Sequence, residues 1–141
     1  MYISKKLTVF FSVLSVINTV YAEDHFCPSA DLVKKNEKNV QAWENNKLYW
    51  QIGYRGWPYA EQIGFDQAFF FPKTHKLDCR YKWINPQQPG TYLWTSVLLS
   101  PDANAIVEVS GTNWSKKEDF YNCTSGRPET CAFKIKLKKT P

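Results

Sequence analysis

Residues 76–84 read Lys-Leu-Asp-Cys-Arg-Tyr-Lys-Trp-Ile, and no other stretch restricts the fold of this chain so tightly. Leu77, Cys79, Tyr81 and Trp83 fall on one side of a period-2 strand, and Lys76, Asp78, Arg80 and Lys82 on the other. That alternation predicts a strand of an antiparallel sheet with one face on a core and the other in water. A cysteine on the inward face predicts a disulfide from this strand to another part of the domain.

The amino-terminal residues have the form of an export signal. Lys5 and Lys6 supply a positive start, Leu7 to Val20 an apolar run, and Val20-Tyr21-Ala22 a small-residue cleavage site. Ser12, Ser15, Asn18 and Thr19 interrupt the run, which makes it a poor membrane anchor. We expect residues 1–22 to be removed and residues 23–141 to form one domain, periplasmic or secreted, without a membrane span. Loss of Lys5 and Lys6 leaves 16 of the 18 basic residues against 13 acidic ones. An excess this small argues against a nucleic-acid partner.

All four cysteines, Cys27, Cys79, Cys123 and Cys131, follow the signal, and an even count in an exported domain reads as a disulfide framework. Of three connectivities, Cys123 with Cys131 is favoured because the intervening Thr-Ser-Gly-Arg-Pro-Glu-Thr is turn chemistry. That leaves Cys27 for Cys79. The absence of a Cys-x-x-Cys pair and the presence of only two histidines argue against zinc, and no cofactor is expected.

Taken in order, the mature chain reads as an all-β fold, a single antiparallel sandwich or small barrel of about seven strands. Ser29 is placed to cap a short helical turn through Ala30 to Val33. Residues 39–44 and 47–52 predict a hairpin turning at Asn45-Asn46. Residues 53–64 read as a long loop between glycines, followed by strands over 65–71, 76–84 and 92–100. Pro101 to Asn104 predicts a turn from which residues 105–110 pair back, and Trp114 sits in a mixed polar segment. In residues 132–138, Phe133, Ile135 and Leu137 face in while Lys134, Lys136 and Lys138 face out, a row of lysines suited to protecting a sheet edge. With Lys139, the same row suits an anionic surface.

Cys27-Pro28-Ser29, the tryptophans after it, Phe-x-x-Ala at 65–68 and Leu-x-Cys-x-Tyr at 77–81 carry a resemblance. Over residues 27–100 the chain resembles a family of small exported bacterial proteins designated only as a domain of unknown function. The resemblance implies an exported β domain with a Cys27–Cys79 bridge. It implies no activity.

Three sets of residues suggest chemistry. Tyr54, Arg55, Trp57 and Tyr59 in the 53–64 loop set flat rings beside hydrogen-bonding groups, which suits a glycan, a Pro-rich peptide, a cell-envelope component or a partner protein. Either these rings face solvent together or they fold back and plug one end of the fold. His75, Glu61 and Arg55 have the residue types of a small secreted ribonuclease, which would require them to share one cleft. Cleavage after Ala22 would place His25 third in the chain, where an α-amine, two backbone amides and an imidazole can enclose Cu(II) or Ni(II) in a square plane. The expectation is a non-catalytic binding module contacting its ligand through the 53–64 loop, with a hydrolase or an inhibitor as alternatives.

Overall fold

The computed structural model describes residues 23–100 and 105–137. The expected signal segment 1–22, the turn expected at residues 101–104, Lys138 and Lys139 lie outside the described residues. Ten strands and one short helix follow in order: β1 (Asp24–His25), α1 (Ala30–Lys35), β2 (Trp43–Asn45), β3 (Leu48–Arg55), β4 (Gly64–Phe71), β5 (Lys76–Ile84), β6 (Tyr92–Leu99), β7 (Ala105–Val109), β8 (Trp114–Lys116), β9 (Tyr121–Cys123) and β10 (Phe133–Leu137). They form an antiparallel seven-stranded sheet ordered β2-β3-β6-β5-β4-β9-β8 and a three-stranded sheet ordered β1-β10-β7.

β5 is the middle strand of the larger sheet. Leu77, Cys79 and Tyr81 are fully buried and Trp83 nearly so. Two bonds from this face secure the chain that precedes α1. Cys79 is bonded to Cys27, and the Tyr81 hydroxyl donates to the Pro28 carbonyl at 2.5 Å. Ser29 caps α1 by accepting from Leu32 N at 3.3 Å, and the helix buries Val33. Across the core, Phe133 of β10 meets the Trp50 ring of β3 edge to face at 6.2 Å, so the two sheets share one core. The second disulfide joins Cys123 to Cys131.

Several local expectations change. The first hairpin turns at Asn46-Lys47, one residue later than read, with φ of 51° and 69°, the paired positive values of a type I′ turn. β7 does not pair back on β6. It crosses to the smaller sheet and pairs with β10. β10 is therefore the middle strand of the smaller sheet, but β1 covers only Phe133 and Lys134, so of its lysines Lys134 is flanked on both sides and Lys136 on one. They answer carboxylates on those neighbours, Lys134 facing Asp24 at 3.8 Å and Lys136 facing Glu108 at 2.9 Å. The outward face of β5 also differs from a face in water, since Asp78 on it is only 5% exposed.

Candidate functional site

The loop begins later than its glycines suggest, because β3 runs on through Gly53 to Arg55. The register against β6 shifts between Ile52 and Tyr54, a bulge at Gly53. A Cβ on Gly53 would lie 2.8 Å from Leu98 side-chain carbons and 2.9 Å from Ser96 Oγ, so glycine is required by close approach. After the bulge, Tyr54 lies beside Ser96 on the outer face of the sheet, its ring 4.4 Å from that of Trp94.

Arg55 turns instead toward the chain after α1. Its guanidinium meets the Glu37 carboxylate at 3.3 Å and donates to the Glu37 carbonyl, while the same carboxylate accepts from Tyr59 N at 2.7 Å. This cluster fixes the loop in place. Tyr59 is the plug, 7% exposed, with its ring 5.4 Å from Trp83. Its hydroxyl bonds to Thr95 Oγ1 at 2.7 Å, and Thr95 donates in turn to the Tyr54 carbonyl. Burial raises the Tyr59 phenol above its ordinary range.

The four residues singled out in the loop thus divide among three environments: Tyr54 on the outer face, Arg55 and Tyr59 in structural contacts, and Trp57 half exposed. Trp57 walls a groove of about 350 Å³ that runs between the loop and the turn after β5. Tyr59, Trp83, Ile84 and Leu93 line it as well, together with the amide-bearing residues Gln62, Asn85 and Gln87. No charged residue among the described residues lines it. Asn85 Oδ1 accepts from Gln87 N at 3.0 Å, while the Gln62 and Gln87 side chains make no hydrogen bond to a described residue.

Beyond Ile84 the outer face carries exposed rings that were not foreseen as a group. Ile84 and Tyr92 are cross-strand partners, 53% and 57% exposed. Next along β6 comes Trp94, and across the sheet from it stand Arg80 and Phe69. Phe69 in turn packs against Phe120 at 5.7 Å. The signal for this array in the sequence is the aromatic residue at every second position, Phe69 and Phe71 on β4, Tyr92 and Trp94 on β6.

His75, Glu61 and Arg55 are not brought together. His75 sits in the left-handed turn before β5. Arg55 pairs with Thr95, which pairs with Tyr81, six positions farther along β5 and so about 20 Å from His75. Glu61 is exposed and pairs with Lys34 at 3.0 Å. His25 is held in β1, opposite Phe133 and stacked on its ring at 5.9 Å. A square-planar copper complex would need the Asp24 and His25 amides and would have to dismantle this strand. No group of three or more His, Cys, Asp or Glu suited to a metal occurs among the described residues. No helix among them is long and apolar enough to cross a membrane. Compared with known protein families, curated proteins and solved structures, the chain matches none.

Proposed function

We propose that this protein is an exported, non-catalytic glycan-binding module whose contact surface is the groove beside Trp57. The observation that carries the reading is the make-up of the groove wall: aromatic, apolar and amide-bearing residues, with no charged one among the described residues. The CH faces of a neutral sugar stack on an indole, and its hydroxyls both donate to and accept from side-chain amides. Trp57, 53% exposed, supplies the indole, and Gln62 and Gln87 supply amides without partners among the described residues.

A Pro-rich peptide fits less well. Such peptides dock on aromatic ridges whose hydroxyl and indole groups bond their carbonyls, and the Tyr59 hydroxyl is already committed to Thr95. Export is supported by the two disulfides and the form of residues 1–22. The test is calorimetric titration of the purified domain with neutral hexaoses of different linkage, in parallel with Trp57→Ala. Saturable binding lost in the variant is the expected result. Binding that survives in Trp57→Ala would place the contact elsewhere.

A further inference from the structure

Arg80 stands on the outer face of β5 between two rings from the neighbouring strands. Its guanidinium carbon is 4.3 Å from the centre of Phe69 on β4 and 5.0 Å from that of Trp94 on β6. Nε donates to Asp78 Oδ2 at 3.4 Å, and the two terminal nitrogens make no hydrogen bond to a described residue. The side chain remains 33% exposed. A ring from each neighbouring strand therefore packs near the guanidinium and Nε is taken up by Asp78, while a third of the side chain stays in solvent and the terminal nitrogens have no partner among the described residues. Two such terminal N–H groups can bond a carboxylate in parallel. Little rotamer freedom is left to lose on binding, which favours affinity.

Asp78 explains why Arg80 holds this position. The carboxylate is almost wholly buried and its Oδ1 has no hydrogen-bond partner among the described residues, so Arg80 is its principal counter-charge. A buried carboxylate left without its cation is strongly unfavourable. Lys76 and Lys82 share this face of β5, with Lys82 over the Tyr92 ring at 4.6 Å and bonded to Asp66 at 3.1 Å. Three cations against two carboxylates leave one positive charge, which suits a monoanion better than a phosphate dianion.

The occupant must be recognised by side chains. β5 lies between β4 and β6, and β6 between β3 and β5, so neither has a free backbone edge to which a peptide strand can add. Arg80 also shares a face of β5 with a residue of the groove. Ile84, four positions along the same face of β5 and about 13 Å away, is part of the groove wall and the partner of exposed Tyr92.

We propose that Arg80 is a receptor for the carboxylate of an acidic sugar, and that the ligand is a polysaccharide combining neutral residues, held beside Trp57, with carboxylated ones held at Arg80. This rests on the glycan reading of the groove. The probes are an octasaccharide alternating glucuronic acid with N-acetylglucosamine, the same oligomer with its carboxyl groups reduced to alcohols, and oligoglutamate. Wild-type protein should bind the acidic oligomer about tenfold more tightly than the reduced one, the factor expected of one charge-assisted contact. The gap should shrink at high salt. Because Arg80→Gln alone strands Asp78, the informative variant is Asp78→Asn with Arg80→Gln, which keeps a neutral hydrogen-bonding pair beneath the rings. It should erase the gap and leave affinity for the reduced oligomer unchanged. Equal binding of the two oligomers by wild type, no binding of the acidic one, or a gap that survives in the double variant would each overturn the proposal. Oligoglutamate binding as tightly as the acidic oligomer, and through Arg80, would overturn the assignment to sugar. If Trp57→Ala leaves both oligomers unaffected while the gap persists, the groove reading fails and the Arg80 site stands.

Discussion

The Tyr59 hydroxyl and Thr95 Oγ1 lie 2.7 Å apart inside the domain, joining the loop after β3 to the middle of β6. Thr95 gives its own proton to the Tyr54 carbonyl, so Tyr59 is the donor of the pair. This bond holds one side of the groove in place while Trp57, two residues earlier, remains in solvent.

Tyr59→Phe keeps the ring against Trp83 and removes only the donor. Thr95 retains its bond to Tyr54, so no new buried donor is orphaned. We expect a loss of about 1 kcal/mol in urea unfolding, the net worth of one hydrogen bond. An unchanged midpoint would show that the hydroxyl contributes nothing to fixing the loop.

Trp57→Ala should separate binding from stability. A buried tryptophan cut to alanine costs about 3–5 kcal/mol, but this indole is half exposed, so the thermal midpoint should move little while sugar binding is lost. A large fall in midpoint would mean that the ring is part of the core.

The two disulfides should differ in weight. In the loop-entropy model, Cys27–Cys79, spanning 52 positions, contributes about 4 kcal/mol, and Cys123–Cys131, spanning eight, about 2.5 kcal/mol. Cys123→Ser with Cys131→Ser should therefore give a folded domain with a lowered midpoint. Cys27→Ser with Cys79→Ser should be much the more damaging, since it also releases the Pro28 segment from Tyr81. Circular dichroism melts of the two variants compare them directly, and the opposite ranking would contradict the model.

What could be read from the chain follows its short-range periodicities. The alternation at 76–84 identified the core face of β5 because a strand has only two faces, and the turn chemistry of 124–130 identified one disulfide and so the other. The Arg80 array was not legible in the same way. Period two tells which side Arg80 is on, but only the register against β4 and β6 sets Phe69 and Trp94 beside it. The ion pairs of the β10 lysines were hidden for the same reason, since their partners Asp24 and Glu108 are distant in sequence. In the loop, all three rings looked alike until the bulge at Gly53 sent Tyr54 outward and Tyr59 found Thr95 inside.

Asp78 provides a test that depends on pH. Burial raises its carboxyl above the ordinary value of 3.8, opposed by the charge and hydrogen bond of Arg80 and by the more distant Lys76. The native state therefore holds this proton more tightly than the unfolded chain does. Where the native state binds more protons, stability falls as pH rises. The contribution of Asp78 is thus fully present below its ordinary value and is lost as pH rises through its raised native value. Asparagine has the same shape and no proton to lose, so it lacks that decline. We expect Asp78→Asn to gain in thermal midpoint relative to wild type as pH is raised from about 3 to about 7, with the difference levelling off once Asp78 is ionised. A difference running the other way, with the variant relatively weaker at neutral pH, would show that attraction to Arg80 outweighs burial. Direct titration of the Asp78 side-chain carbon by NMR would locate the transition in the folded protein, and a midpoint at or below 3.8 would contradict the raised value.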